Sequence, residues 1–126
     1  MNGQPEDLKH RTQKFAVRVI RMYSALPKDP VSQVLGKQVL RSGTSVGANY
    51  REASRGRSKA EFAAKVGDCL KEIAETEYWL ELLVDAGCVA AGKMAELLDE
   101  TRQLIAIFTT IDKKAKGQGG TLKAEI

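Results

Sequence analysis

Histidine is almost missing from this chain: the single one, His10, stands near the N-terminus. A di-metal carboxylate bundle draws on Glu-x-x-His pairs. Glu72 and Glu75 have a helical spacing, but no histidine accompanies them. A nucleophile–histidine arrangement is short of the same residue. Cysteine is scarce as well. Cys69 and Cys88 with one distant histidine do not make a zinc site, and no disulfide is expected of them in a cytoplasmic setting. Cys69 reads as a small core residue and Cys88 as part of a loop after Gly87. Aromatic residues make up 6%, and none interleaves with the basic ones, which argues against a stacking platform for single strands. No apolar run reaches the ~18 residues of a membrane span. The start, MNGQPEDLKHR, carries no apolar signal region, so the cytoplasm is the expected location. Neither a Gly-x-x-x-x-Gly-Lys-Ser/Thr loop nor a dinucleotide fingerprint occurs. These absences point away from an enzyme, and no catalytic residue, metal or cofactor is assigned.

What is present is charge, unevenly spread. Residues 1–59 hold 12 Lys and Arg against 4 Asp and Glu, a balance of +8; residues 60–126 hold 8 against 12, a balance of −4. Such polarisation points to an anionic partner or to pairing between helices of opposite sign.

Glycine and proline divide the chain into four helical segments and no strand-like alternation. Leu8, Phe15, Val19, Met22 and Leu26 mark one face of a helix from about Asp7 to Ala25. After LPKDP, with Asp29 as cap and Pro30 in the first turn, a second helix runs from about Val31 to Arg55. Ser58 and Glu61 form a capping box for the third, which ends near Ala86 before Gly87. Its residues Phe62, Val66, Cys69, Ile73, Thr76, Leu80 and Leu83 alternate steps of four and three, a heptad seam. The fourth runs from about Ala90 to Ala115, with an apolar face that includes Met94, Leu97, Leu104 and Phe108. Short connections predict an all-α, antiparallel up-down four-helix bundle over residues 1–116. The Gly-rich end, 117–126, reads as a disordered tail.

The second helix contains LRSGTSVGANYREAS, with two glycines in its interior. Each costs roughly 1 kcal/mol against alanine. Gly43 and Gly47 are four apart and lie one above the other beside the core face. Their use is close helix packing, against a helix of the same chain or of another subunit. Along the opposite edge, Arg41, Ser45, Asn49 and Glu52 form a ladder of hydrogen-bonding groups. Arg41 keeps its charge and calls for a carboxylate, with Glu72, Glu75 and Glu77 as candidates. The ladder, with Glu75 and Trp79, is either a register-setting polar network or a subunit interface. Lys37, Arg51 and Arg55 share an outward face, Arg57 and Lys59 follow in the turn, and Lys14 and Arg18 belong to a basic first helix. These seven are the candidate contacts to nucleic-acid phosphates.

The run LRSGTSVGANYREASRGRSKAEF, followed by ETEYWLELL, resembles the four-helix-bundle family named for the 23S rRNA intervening sequence. Leu40, Arg41, Ser42, Ser45, Val46, Ala48, Asn49, Glu52, Ser58, Glu61 and Phe62 match its pattern, as do Glu75, Thr76, Tyr78, Trp79 and Leu80. The resemblance covers roughly Thr12 to Ile111. It implies a four-helix bundle and a homo-oligomer, a pentamer where the oligomer is known. A related branch, the accessory variability determinants of diversity-generating retroelements, comprises basic pentamers that bind nucleic acid and a reverse transcriptase. The expected function is therefore a non-enzymatic oligomeric accessory protein that contacts RNA or DNA backbone. The alternative is a homo-oligomeric interaction scaffold without nucleic acid. No membrane partner is expected.

Overall fold

The computed structural model describes residues 7–117 in full, and the side chains of residues 118–126 lie outside the described residues. Four helices occur and no strand among the described residues: α1 (Leu8–Ser24), α2 (Pro30–Ser54), α3 (Lys59–Asp85) and α4 (Ala91–Glu125). Each start has a local chemical cause. Asp7 accepts from the His10 N–H at 3.2 Å, and Asp29 from the Ser32 N–H at 2.9 Å. The Ser32 hydroxyl adds a second bond to Asp29 at 2.8 Å, and the two together hold this carboxyl below its usual range. At α3 the Ser58 hydroxyl accepts from the Glu61 N–H at 3.1 Å, while the Glu61 carboxylate takes the Arg57 N–H at 2.7 Å rather than that of Ser58. The box thus closes one residue earlier than the sequence pattern predicts, and it ties Arg57 into the turn. Gly87, at φ +80°, ends α3 in the left-handed region that favours glycine.

Helix α4 continues past Ala115, through Lys116 and Gly117, where the sequence pattern predicts an end. Lys116 pairs with Asp112 one turn earlier at 3.2 Å, which supports the additional turn. Of the tail expected over 117–126, the backbone to Glu125 belongs to α4, and the side chains from residue 118 onward lie outside the described residues.

Helix α2 pairs most extensively with α3; α3 with α4 and α1 with α2 follow, and α1 touches α4 least. The core runs through Phe15, Val19, Val39, Val46, Val66, Ile73, Leu80, Leu83, Leu104 and Phe108, all essentially solvent-free. The α3 seam is buried from Val66 to Leu83, but Phe62 at its start is only half-buried. Tyr50 meets Phe108 edge to face at 5.9 Å. The loose α1–α4 seam is held by Arg11, whose Nε and Nη2 donate to the Glu100 carboxylate at 2.8 and 2.9 Å; Nη2 also donates to Gln103 at 2.9 Å.

Gly43 and Gly47 of α2 face α1 of the same chain. A β-carbon at Gly43 would stand 2.9 Å from Val19 Cγ2, and one at Gly47 would stand 3.0 Å from Thr12 Oγ1. Val19 is buried and β-branched, so it has little rotamer freedom with which to yield. At Gly67, on α3, the nearest group is Asp112 Oδ1 at 3.9 Å, an ordinary contact. Opposite outcomes follow for the same substitution. Gly43→Ala lowers stability by about 1–3 kcal/mol through overpacking, whereas Gly67→Ala raises it by about 0.5–1 kcal/mol through helix propensity. Chemical denaturation of the two variants checks the signs.

Candidate nucleic-acid interface

The polar ladder of α2 is set against α3, and it sorts into two surface ion-pair sets with a buried contact near the first. Arg41 reaches Glu72 at 3.4 Å and Glu75 at 3.3 Å, and also meets Gln38. Its side chain is 49% exposed, so this pair is a surface feature and not a buried charge. Ser45 returns its hydroxyl to the Arg41 carbonyl at 2.7 Å, and Asn49 is half-buried. Glu52 meets Lys65 at 2.7 Å; that bond and its charge hold the Glu52 carboxyl below its usual range and raise the Lys65 ammonium. The buried contact is one that the spacing argument does not single out: the Ser42 and Thr76 hydroxyls lie 2.8 Å apart. The only textual signal for it is that both are small hydroxyl residues at core-facing positions.

The seven candidate phosphate contacts do not form one surface. Lys14 and Arg18 line a cleft on the α1–α4 side with Glu100, and Arg18 also lines a second one with Glu96 and Asp99. Their charge is opposed by neighbouring carboxylates of α4. Lys37 stands 14 residues before Arg51, about 21 Å along a helix axis. Arg51 donates to Gln13 of α1 at 2.7 Å. Arg51, Arg55, Arg57 and Lys59 follow one another in the chain where α2 turns into α3.

To this group the structure adds a cation from the far end of the sequence. Lys114 of α4 lines an open groove of about 610 Å³ together with Arg57 and Lys59; its floor includes Phe62 and Ile111. The side chains of Arg57, Lys59 and Lys114 form no ion pair or hydrogen bond among the described residues. Phe62 also corrects the expectation that no aromatic ring is interleaved with basic residues. Arg57 and Lys59 precede the ring by five and three residues, and the return of α4 adds Lys114.

Elsewhere the acidic half pairs internally. Arg102 binds Glu77 at 2.8 Å and Glu81 at 2.9 Å on the α3–α4 side. Trp79 is half-buried, stacks edgewise on Tyr78 at 5.0 Å, and has a buried Nε1–H without an acceptor among the described residues. Among the described residues, no three His, Cys, Asp or Glu side chains converge on a point that could hold a metal ion. No described helix is long and apolar enough to cross a membrane. Burial pushes the Cys69 thiol up to about 12, and its Sγ lies 3.6 Å from the Val46 carbonyl.

A family model described as 23S rRNA-intervening sequence protein matches residues 6–110. The chain is 37% identical to a protein with unknown function from the S23 ribosomal protein family of Bacteroides thetaiotaomicron VPI-5482. That crystal structure aligns with a TM-score of 0.79, over 85% of this chain and 99% of the other. No curated protein matches the chain.

The two thiols should differ sharply. At neutral pH a thiol reagent titrates one group per folded chain, the half-buried Cys88, and Cys69 reacts only on unfolding. Mass spectrometry of the labelled peptides checks the assignment.

Proposed function

The chain belongs to the 23S rRNA-intervening sequence protein family, and we propose that it is a non-enzymatic, cytoplasmic, oligomeric accessory protein that contacts the backbone of RNA or DNA. The observation that carries this reading is the basic group at the α2–α3 turn. Arg57, Lys59 and Lys114 line one groove there from two distant parts of the sequence, their side chains without partners among the described residues, and Arg51 and Arg55 precede them in the chain. Guanidinium and ammonium groups in such a cluster hold phosphates with little preference for sequence. The reading needs no cofactor and no catalytic residue. Lys14, Arg18 and Lys37 take a smaller part in it, because of their acidic neighbours or their distance.

Fluorescence anisotropy with labelled RNA and DNA at several salt concentrations tests it. Affinity should fall steeply as salt rises, through counterion release. Replacing Arg51, Arg55 and Arg57 together by Gln should reduce the slope of log K against log salt by about two to three. Absence of binding even at ~50 mM salt overturns the reading.

A separate observation supports self-association. Val31, Val34 and Tyr78 are exposed to 56%, 61% and 54%. Val34, Gln38, Arg41 and Ser45 step along one edge of α2 by four, three and four. Because α2 and α3 run antiparallel, Val34 and the Tyr78–Trp79 pair both lie beyond the Arg41–Glu75 contact in the same direction. An apolar patch of this kind suits burial against another copy of the chain or a protein partner such as a reverse transcriptase. The expected assembly is a homopentamer. Light scattering on the Val34→Glu and Tyr78→Glu double variant should give the monomer mass with the helical content retained; an unchanged mass overturns this surface.

A further inference from the structure

The groove at the α2–α3 turn is more than a patch of charge. Three cations stand at its edge, but its floor is apolar and includes one aromatic ring, Phe62, together with Ile111. Phe62 opens the α3 heptad seam and by its spacing belongs in the core, yet it is half-buried, with part of its surface turned to this groove. The turn is tight here. A β-carbon at Gly56 would lie 3.3 Å from the Phe62 amide nitrogen, so the residue before Arg57 has to be small for the chain to pass. The volume, about 610 Å³, lies in the range of small-ligand sites.

A duplex presents phosphates and buries its bases, so it uses the cations and leaves the ring idle. An acidic peptide likewise satisfies the charge but not a flat apolar floor. A nucleotide out of its stack supplies both halves at once: an anionic backbone for Arg57, Lys59 and Lys114, and a π-face for Phe62. We infer that this groove binds an unpaired nucleotide, so that the protein prefers bulged or single-stranded segments to a continuous duplex. The inference rests on the nucleic-acid reading above and goes one step further, from backbone attraction to a site for a base. The Glu61 carboxylate in the same turn accepts the Arg57 N–H at 2.7 Å and forms no ion pair with the three cations.

The test compares two blunt-ended, two-stranded RNA duplexes, one fully paired and one with a single bulged uridine, by anisotropy at one low salt concentration. The bulged RNA should bind about tenfold more tightly, the scale of one base–aromatic stack. Phe62→Leu, which keeps the apolar volume and removes the ring's face, should abolish that preference and leave the affinity for the paired RNA unchanged. Should the leucine variant fold poorly by circular dichroism, 5-iodouridine at the unpaired position of the RNA replaces it, and the crosslink should map to the peptide that contains Phe62. Equal affinity for the two RNAs, a preference that survives Phe62→Leu, or a crosslink elsewhere overturns the inference while the backbone reading stands. Failure to bind either RNA overturns both.

Discussion

The approach of α1 to α2 governs the rest of the bundle, and it depends on side chains that are not there. Gly43 sits under Val19 and Gly47 under Thr12, where a methyl group would come within about van der Waals exclusion of a neighbour held in the core. Gly36 is buried in the same way under Tyr23 and Leu26. Three glycines along one edge let two backbones come close over most of the length of α1. The helix tolerates their propensity cost of roughly 1 kcal/mol each because dispersion contacts over that length exceed it. With α1 drawn in, the remaining faces of α2 are assigned: its core edge meets Phe108 through Tyr50, and its outer edge is left to α3.

That outer edge is polar, and register is its result. Ser42 and Thr76 share a buried hydrogen bond, flanked by Arg41 with Glu72 and Glu75, and further along by Glu52 with Lys65. The ion pairs are largely exposed, so each contributes little to stability. The buried hydroxyl pair matters more, since sliding one helix by a turn would take the Ser42 hydroxyl away from its partner in the core. The Thr76 hydroxyl also reaches back to the Glu72 carbonyl, so it is anchored within its own helix before it meets α2.

The helices, the caps and the heptad seam were legible because they depend on residues close together in sequence. The glycine edge was legible as a packing device, but its partner was not. A glycine stripe shows that something comes near, and only the path of α1 shows that Val19 and Thr12 do so. Of the polar ladder, Arg41 meets Glu72 and Glu75 and Glu52 meets Lys65, but Ser45 bonds its own helix, Glu77 goes to Arg102, and the Arg41 side chain is half-exposed, because a spacing argument measures angle around a helix and not depth. The basic surface was hardest to read. Lys14 and Arg18 look like members of a basic face until α4 sets Glu96, Asp99 and Glu100 beside them. Lys114 is 55 residues from Lys59 and joins the group only through the return of α4. Phe62 was assigned to the core because it opens a seam that is otherwise buried, and the end of a bundle is where such a pattern loses its cover.

The two halves of the chain carry opposite charge, yet they do not cancel at the groove. Carboxylates of the acidic half are engaged along the helix seams, Glu72 and Glu75 by Arg41, Glu77 and Glu81 by Arg102 and Glu100 by Arg11, while Asp112 pairs with Lys116 within α4. Glu72 stands ten residues along α3 from Phe62, about 15 Å at helical rise, and a Debye length in physiological salt is about 8 Å. Closer to the turn, Glu61 is bonded to the Arg57 backbone and Glu52 is held by Lys65. A small overall charge of +4 is therefore compatible with one end of the bundle that is strongly cationic. Seam pairing is what keeps it so: the seam carboxylates are taken up by Arg11, Arg41 and Arg102, whereas the side chains of Arg57 in the connection, Lys59 at the start of α3 and Lys114 within α4 have no partner among the described residues.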